Sequence, residues 1–511
     1  MTTGDEYQLE HLISKRADAR EKIHFTTVDL TKQPKDFKPH DKPLHLSWGT
    51  PNDGFFPVNS ISVEIQDSPF ESSLNFHHTN NSLEQLPKDL KKLDLSLEKD
   101  KKSVNIVKRG EDKSLIDIRQ GFQYSMHSGM DQLNQFCKDF IERVHKPGYN
   151  EWTTTLSTGA GDGILKTMDA ILNPGDVVLM EEFTFVPSLM MIRECGATGV
   201  PIKLSVNSHS EGIDLDYLTN LLENWETLKP GMNKPKALYT IPTGQNPTGL
   251  TQSVEFRKKV YALAEKYDFI IIEDDPYGYL TLPPFKKPDG VVKLDEFITV
   301  EEYLKDHVTP SYLTIDTKGR VLRIETFSKL FAPGLRIGFI VGHKRLIDVI
   351  LRYAAVVTKF PSGVAQTLLQ NVLYQKFGGV DGWIEWILKM RAVYIHKRNL
   401  LINELVKSTI YEKGLIDIID PKAGMFISVV LKFPEGTDVQ EKIDLLNFKF
   451  ASFGVGVVPG LNMAVDKKFS IERGSFFRLT FAPLNNDEEV VEASKRFVDA
   501  VEDFFAKGLE Y

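Results

Sequence analysis

Residues 237–275 read ALYTIPTGQNPTGLTQSVEFRKKVYALAEKYDFIIIEDD, and this stretch decides the predicted fold. Two short apolar runs, ALYTI at 237–241 and FIII at 269–272, flank a segment near 253–267 with a helical pattern. A strand, a helix and a second strand in this order form a βαβ unit, in which the two strands are parallel. The pattern therefore predicts a largely parallel sheet covered by helices on both faces.

The same alternation continues on both sides of this unit. Upstream, VVLM at 177–180 is typical of a buried strand, and the turn LSTGAGDG precedes a segment with apolar residues at helical spacing. Downstream, VLRIETF at 321–327 and IGFIVG at 337–342 predict two more strands. We therefore expect an α/β fold with one large sheet-containing domain.

The pattern changes near residue 365, which suggests a division of the chain into three parts. Residues 1–115 are predicted to form an N-terminal arm with a contribution to a small domain, 116–365 a large ligand-binding domain, and 366–511 a small C-terminal domain. In the last part, a long helical pattern precedes the strand candidates MFISVVL at 425–431 and FFRLTFA at 476–482. This order is typical of an α+β domain.

The N-terminal part is irregular in sequence. Prolines repeatedly interrupt any long helix there, at Pro34, Pro39, Pro43, Pro51 and Pro57. Residues 87–113 carry many charges of both signs, so we predict a solvated, mobile insertion, with a partner-binding segment as the alternative.

Composition excludes several classes of protein. The 511 residues include 62 basic and 70 acidic side chains, a net charge of −8, which argues against a general nucleic-acid surface and favours small-molecule chemistry. Cys137 and Cys195 are too few for a disulfide scaffold. The N-terminal residues lack the apolar core of a signal peptide, and no run approaches the roughly 18 apolar residues of a membrane span. We expect a cytoplasmic protein with free thiols and no membrane partner.

Four polar motifs lie at predicted strand ends or helix starts, where open α/β sheets bind ligands. They are STGAGDG at 157–163, TGQNPTG at 243–249, IIIEDDPYGY at 270–279 and TFSKLFAPGLRIGF at 326–339. The glycines of the first motif allow backbone N–H groups to approach a phosphate, although such a turn is also common as a purely structural element.

The acidic motif gives the most specific information about the ligand. Glu273, Asp274 and Asp275 end a fully apolar strand, and buried carboxylates require a cation, a metal ion or a protonated ring nitrogen. A magnesium site is one interpretation. With Lys329 and Arg336 included, the four motifs fit a ligand with a phosphate, a ring nitrogen, a phenolic oxygen and an aldehyde. Pyridoxal 5'-phosphate has all four groups.

The motifs TIPTGQNPTG, EDDPYGY and TFSKLFAPGLRIGF together resemble the fold-type I, aspartate-aminotransferase-like family of pyridoxal-phosphate enzymes. They are most similar to the branch of fungal aromatic-amino-acid aminotransferases and 2-aminoadipate/kynurenine aminotransferases. The resemblance extends from WGTPNDGFFP at 48–57 to FFRLTFAP at 476–483. It implies a mostly parallel seven-stranded sheet between helices, with 116–365 as the cofactor-binding domain, and a smaller α+β domain.

The resemblance also implies the catalytic roles. Lys329 is similar to the lysine that binds the cofactor aldehyde covalently and then moves the substrate proton. Asp274 matches the acid that pairs with the ring nitrogen, and Tyr277 and Asn246 match the residues that hydrogen bond to the phenolic oxygen. Asp275 is expected to lie behind the site or to cap a helix. Phe185 occupies the position of the aromatic residue stacked on the ring, with a plain core role as the alternative.

The cofactor phosphate is expected to bind Arg336 and the hydroxyls of Thr326 and Ser328. The resemblance assigns the backbone cradle to Gly159, Ala160 and Gly161, and a contact from the neighbouring subunit to Tyr124. The family often has a serine or a longer polar residue in this turn, so Ala160 and Gly161 leave only backbone donors here. The contact through Tyr124 implies a homodimer.

The resemblance also implies contacts to the substrate. Arg478 is similar to the arginine that binds the substrate α-carboxylate, with a structural salt bridge as the alternative. Gly49 is expected to bring the backbone close to the substrate, unless it is only a turn glycine, and Asn246 also belongs to this set. Arg16 or Arg20 could fold over the substrate, although helix-surface arginines are common.

The resemblance implies a transaminase with two half-reactions and ping-pong kinetics. We expect Phe, Tyr and Trp as amino donors, with 2-oxoglutarate or aromatic 2-oxo acids as acceptors. A 2-aminoadipate/kynurenine aminotransferase is the alternative, and β-elimination or decarboxylation on the same cofactor is another. A transcriptional regulator with this domain type would require a basic helix-turn-helix module at the N-terminus, which the proline-interrupted start does not offer.

Overall fold

The computed structural model describes residues 9–20, 32–38, 40–42, 49–66, 103–287 and 298–511. The strands of this part, in chain order, are β1 (Ser60–Glu64), β2 (Ser103–Val107), β3 (Trp152–Ser157), β4 (Val177–Glu181), β5 (Thr198–Ile202), β6 (Pro235–Thr240), β7 (Ile270–Asp274), β8 (Val321–Thr326), β9 (Gly338–His343), β10 (Ile416–Ile419), β11 (Phe426–Leu431), β12 (Val458–Pro459) and β13 (Phe476–Thr480).

The central element is a seven-stranded sheet with the order β3-β9-β8-β7-β6-β4-β5. Strand β9 is antiparallel to both of its neighbours, and all other neighbouring strands are parallel. This confirms the largely parallel sheet predicted from the sequence pattern and the seven strands implied by the family resemblance. The middle strand, β7, is buried at every position, which explains its continuous apolar run.

Helices cover both faces of this sheet. The helices of the described residues are Lys15–Asp18, Ile118–Gly121, Asp131–Val144, Gly159–Ile171, Pro187–Glu194, Leu215–Glu223, Trp225–Leu228, Val254–Tyr267, Val300–Glu302, Tyr312–Ile315, Lys344–Val356, Gly363–Asn371, Val380–Val406, Thr409–Glu412, Val439–Ser452, Lys467–Ser470 and Asp487–Ala506. The helix between β6 and β7 begins after Ser253, whose hydroxyl accepts from the backbone N–H of Phe256, and ends at Asp268 in a left-handed conformation.

The alternation of side chains along β7 places them in two different apolar clusters. Ile271 belongs to the cluster on one face of the sheet, whereas Ile270 and Ile272 belong to the cluster on the other. A four-stranded antiparallel sheet, with the order β10-β11-β13-β12, contributes a third cluster together with Phe497 and Phe504 of the last helix. The division at residues 115 and 365 stays a prediction.

The prediction of a solvated insertion at 87–113 is wrong for residues 103–107. These residues form β2, which pairs with β1 in antiparallel register, and the side chains of Val104 and Ile106 are buried. The sequence SVNIV alternates apolar and polar residues and buries one face, although charged segments lie on both sides of it. Residues 87–102 lie outside the described residues.

The first described segment packs on the outside of the large sheet layer. Leu12 and Ala17 are buried, and the Arg16 and Arg20 guanidinium groups both pair with Asp169, near the C-terminal end of helix Gly159–Ile171. Arg16, in helix Lys15–Asp18, and Arg20, after its end, therefore share the buried Asp169 carboxylate as ion-pair partner, and a contact of either with substrate stays a prediction. Among the described residues, no helix combines the length and apolarity needed to cross a membrane.

Candidate active site

The candidate site lies at the carboxyl ends of the parallel strands. Asp274 ends β7, Thr326 ends β8, Asn246 lies in the loop after β6, and Phe185 follows β4. Carboxyl ends of parallel strands meet at one edge of a sheet, so residues far apart in sequence come together there. A fifth group, Arg478, approaches this edge from β13 of the small sheet.

Asp274 is a buried carboxylate with one occupied and one free oxygen. Its Oδ2 accepts a hydrogen bond from the Tyr239 hydroxyl at 2.5 Å, whereas its buried Oδ1 has no hydrogen-bond partner. Burial raises the pKa of Asp274 to about 7, and the Tyr239 hydrogen bond opposes this shift. A buried oxygen without a partner requires an external donor, and a protonated ring nitrogen satisfies this requirement.

The two neighbouring carboxylates have arginine partners. Arg323 Nη1 lies 2.8 Å from Glu273 Oε1 and 3.0 Å from Asp275 Oδ2. The Thr243 hydroxyl also donates to Asp275 Oδ2, and Asp275 is not the cap of any helix in the described part of the chain. Among the described residues, Asp274 is therefore the member of the acidic motif without an ion-pair partner, and no group of three His, Cys, Asp or Glu side chains is arranged to hold a metal ion.

A buried network holds the loop that carries Asn246. Gln245 Nε2 donates to Glu181 Oε2 at 3.0 Å and to the Phe183 carbonyl at 2.7 Å. Gln245 Oε1 accepts from both the backbone N–H and the hydroxyl of Thr248. The Gln245 side chain thus ties this loop to the end of β4, beside the segment that contains Phe185.

Arg478 joins the small sheet to this loop. Its Nη1 donates to Asn246 Oδ1 at 2.6 Å, and its guanidinium carbon lies 4.4 Å from the centre of the Phe426 ring. Its Nε is buried without a hydrogen-bond partner, and no carboxylate of the described residues lies within ion-pair distance of it. The salt-bridge alternative therefore has no partner in the described part of the chain, and Arg478 keeps donors for a ligand carboxylate.

Tyr277 lies in the same cluster of side chains. Burial raises its pKa, the Asp274 charge raises it further, and the Arg478 charge opposes both effects. Its ring packs edge-on against Phe426, with 5.4 Å between ring centres. The Tyr277 side chain therefore lies within the electrostatic range of both the acid and the arginine of the site.

Arg336 and the turn at Gly159 meet at the start of helix Gly159–Ile171. Gly159 has a φ of +77°, which strains any residue with a Cβ atom, and a Cβ there would lie 2.2 Å from Arg336 Nη2 and displace this guanidinium. Arg336 Nη1 donates to Ser328 Oγ at 3.4 Å, and the Thr326 hydroxyl donates to the same oxygen at 2.8 Å. A cation, two hydroxyls and a helix N-terminus converge, an arrangement suited to an anion.

The positive charges of Arg336, in the anion site, and of Arg478 both act on the Lys329 amine. The Lys329 side chain is half-buried, and burial lowers its pKa, followed by the positive charges of Arg336 and Arg478. Burial and the two cations therefore favour the neutral amine of Lys329. An uncharged Lys329 Nζ can act as a nucleophile or a base near neutral pH.

Three predicted residues have no contact that tests their assigned role. Tyr124 is 70% exposed. Gly49 is exposed, with open space where a Cβ atom would lie. Phe185 is partly buried against an apolar cluster, and its carbonyl accepts a hydrogen bond from Ser188. Their roles stay predictions.

Tyr239, Arg323 and Phe426 are site residues that the sequence reasoning missed. Tyr239 carried a signal, the tyrosine in ALYTI, because a hydroxyl in an apolar strand must find a hydrogen-bond partner when buried. Arg323 carried a similar signal as a charged residue inside the apolar run VLRIETF. Phe426 had none, since phenylalanine is an ordinary core residue.

Known proteins resemble this chain in sequence and in structure. Residues 92–497 match the family described as Aminotransferase class I and II. Aromatic amino acid aminotransferase 2 of Saccharomyces cerevisiae is 36% identical over 490 residues, 91% of each chain. The bovine mitochondrial kynurenine/alpha-aminoadipate aminotransferase is 31% identical over 73% of this chain and 80% of its own length. The crystal structure of the aromatic aminotransferase Aro9 from C. albicans superposes with a TM-score of 0.88, at 50% identity, covering 98% of this chain and 99% of that one.

Proposed function

The chain belongs to the class I and II aminotransferases, and from this membership we propose that it uses pyridoxal 5'-phosphate to transfer the amino group of aromatic amino acids to 2-oxo acids. The observation that carries the choice of cofactor is the buried, partnerless Oδ1 of Asp274. Two features support the rest of the assignment, namely the anion site around Arg336 and the half-buried amine of Lys329 with its lowered pKa.

Each end of the cofactor has candidate partners. When bound, pyridoxal phosphate supplies a protonated ring that accepts the electron pair left when an amino acid loses its α-proton. Asp274 Oδ1 would hold the proton at the ring nitrogen, and Tyr277 and Asn246 would hydrogen bond to the phenolic oxygen. Phe185 would stack on the ring face. The phosphate would bind Arg336, the hydroxyls of Thr326 and Ser328 and the backbone N–H groups of Gly159, Ala160 and Gly161.

Lys329 and Arg478 would act on the substrate. Lys329 would bind the cofactor covalently and, once released, accept the α-proton at Nζ and deliver it again at the end of the half-reaction. Its lowered pKa supports this role, because only the neutral amine can accept a proton. Arg478 would bind the α-carboxylate through its planar pair of N–H donors and orient the α-carbon for Lys329.

The proposed preference for aromatic substrates has two supports. Relatives over most of the chain carry the name aromatic aminotransferase. Within the site, Phe426 and Met463 surround the Arg478 guanidinium, an apolar setting that suits an aromatic side chain next to the α-carboxylate. The alternative donors are 2-aminoadipate and kynurenine, because a bovine enzyme named for them is also related.

A panel of amino donors tests the activity directly. With 2-oxoglutarate as acceptor, we expect Phe, Tyr and Trp to give kcat/KM values about tenfold or more above those of Asp and Ala, since pocket shape discriminates side chains by this order. Glutamate should form in a one-to-one ratio with the new oxo acid, whereas elimination or decarboxylation would yield none. Turnover of 2-aminoadipate with no turnover of aromatic donors would contradict the proposed preference.

We further propose a homodimer in which Tyr124 contacts the phosphate bound by the partner chain. In the single chain, Tyr124 and Met126 are 70% and 65% exposed and line a cavity of 310 Å³ together with Arg119. Exposed apolar side chains around a cavity are typical of an interaction surface. We also propose a cytoplasmic location, which fits the two buried, free thiols of Cys137 and Cys195.

The dimer proposal has its own test. Light scattering of the purified protein should give twice the chain mass of 58.0 kDa. Tyr124→Phe should weaken pyridoxal phosphate binding about tenfold, because a hydrogen bond to a charged group is lost, while Tyr411→Phe, at another exposed tyrosine, should not. A monomer with full activity, or unchanged cofactor affinity in Tyr124→Phe, would contradict it.

A further inference from the structure

Tyr239 is a buried tyrosine in β6, next to the strand that ends in Asp274. Its side chain is fully buried within an apolar cluster, and its hydroxyl donates to Asp274 Oδ2 at 2.5 Å. The neighbouring strands are in parallel register, with Tyr239 opposite Ile272, so the tyrosine reaches an oxygen two residues further along β7. A short hydrogen bond from a rigid, packed ring fixes the carboxylate to which it donates.

This hydrogen bond makes the two oxygens of Asp274 unequal. A free carboxylate can rotate and present either oxygen, whereas a carboxylate held at Oδ2 presents Oδ1 alone. Oδ1 is the buried oxygen that has no partner. The neighbouring Asp275 is also held at Oδ2, and its Oδ1 is likewise buried without a partner. It differs from Asp274 in the donor, because Arg323 neutralises the charge of Asp275 through an ion pair, whereas Asp274 Oδ2 accepts from an uncharged hydroxyl.

We propose that Tyr239 is a positioning residue for transamination, which holds Asp274 Oδ2 so that Oδ1 receives the N–H of the cofactor ring. This inference rests on the proposed function, because it requires pyridoxal phosphate in the site. Tyr239 touches neither substrate nor cofactor in this proposal and acts only through Asp274.

The charges around Asp274 also support a role of Tyr239 in keeping Asp274 ionised. Besides Tyr239 on β6, four other groups act on Asp274 or respond to its charge: Arg323 on β8, Glu181 on β4, and Asp275 and Tyr277, which follow β7. Burial favours the protonated acid, while the Tyr239 and Arg323 interactions favour the carboxylate. Removing the Tyr239 hydroxyl would therefore weaken the carboxylate form that pairs with a ring N–H.

Equilibrium binding to Tyr239→Phe tests the proposal. The two ligands are pyridoxal phosphate and the analogue in which a C–H replaces the ring nitrogen. We expect the Kd for pyridoxal phosphate to rise about tenfold, the size of one charge-assisted hydrogen bond, and the Kd for the analogue to stay unchanged. With amino donors, kcat should fall at constant KM, because Arg478 keeps its contacts.

Tyr261→Phe is the matched control. Tyr261 is also a buried tyrosine that donates to an aspartate, Asp316 Oδ1 at 2.8 Å, but Asp316 precedes β8 and lies at the opposite end of the sheet. Both variants lose a buried tyrosine–aspartate hydrogen bond, so both should melt at a lower temperature. Only Tyr239→Phe should discriminate between pyridoxal phosphate and the analogue.

The outcomes separate this inference from the proposed function. An equal loss of affinity for both ligands would mean a purely structural role and would overturn the proposal, as would an unchanged Kd for pyridoxal phosphate. If the wild-type protein fails to bind pyridoxal phosphate, or binds the analogue equally well, the proposed role of the cofactor and Asp274 fails instead.

A second pair of variants keeps the test decisive if Tyr239→Phe does not fold. Asp274→Asn replaces the carboxylate with a neutral amide. In the double variant Asp274→Asn/Tyr239→Phe, the lost tyrosine hydroxyl therefore leaves no buried charge without a hydrogen-bond donor. Because Tyr239 acts through the Asp274 carboxylate, both should bind pyridoxal phosphate with the same Kd. A tenfold difference within this pair would contradict the proposal.

Discussion

Replacing Lys329 with alanine is expected to abolish transamination and the visible absorption band of the bound cofactor. The variant lacks the amine that binds the cofactor covalently and moves the substrate proton. Loss of a positioned proton-transfer group costs up to about 10⁴-fold in rate, and the covalent role adds to this loss. The burial and the neighbouring cations that lower the Lys329 pKa suit it for both tasks.

The measurement combines spectra with steady-state rates and the melting temperature. Lys344→Ala is the matched control, because Lys344 is a half-exposed lysine whose partner is Glu151 at 3.2 Å. It should keep the visible band and full turnover. A Lys329→Ala protein that turns over at the wild-type rate would refute the assignment of Lys329.

Replacing Arg478 with methionine is expected to raise KM for amino donors and for 2-oxo acids alike by about 10²-fold to 10³-fold, since losing a buried charged partner costs about 3–4 kcal/mol. Both substrates carry the same carboxylate, so both should be affected. The change should fall mainly on KM, because the carboxylate contact is made equally in the ground state and the transition state. The melting temperature should fall only modestly, because the variant loses one hydrogen bond, to Asn246, and breaks no ion pair in the described part of the chain.

Arg473→Met provides the contrast. Arg473 binds the buried Glu182 through two hydrogen bonds of 2.7 and 2.9 Å, so its loss should lower the melting temperature and leave KM unchanged. The reverse pattern in Arg478→Met, with a large drop in melting temperature and a normal KM, would show that Arg478 is structural. The two arginines thus distinguish ligand binding from fold stabilisation within one region of the chain.

Five of the seven strands of the large sheet could be predicted from apolar runs in the sequence, because they are almost completely buried. The two edge strands, β3 and β5, are partly exposed, and no such run marked them. FIII at 269–272 and VVLM at 177–180 are continuous apolar runs, and β7 and β4 lie there with one or two residues of difference at their ends. The strand Ser103–Val107 was missed because its short alternation lies beside segments rich in charge. This segment is a strand because it pairs with β1, and the local sequence pattern gives no information about a pairing partner.

The site divides in the same way between sequence and tertiary structure. The sequence by itself determined which chemical groups lie at strand ends and helix starts: Asp274, Asn246, the turn at Gly159 and the segment with Lys329 and Arg336. Their order along the chain, with the apolar runs before them, was enough to place them at one edge of a parallel sheet.

Only the tertiary structure decided which side chain pairs with which. Tyr239 and Asp274 are 35 residues apart, and Arg478 and Asn246 are 232 apart, yet each pair is joined by one hydrogen bond. Arg323 pairs with Glu273 and Asp275, and Asp274 keeps a free oxygen. These choices depend on strand register and on distances of tenths of an ångström, because hydrogen bonds and ion pairs act only at short range. The periodicity of apolar residues determines the helices and strands, whereas the packing of distant segments determines which side chains form hydrogen bonds and ion pairs with each other.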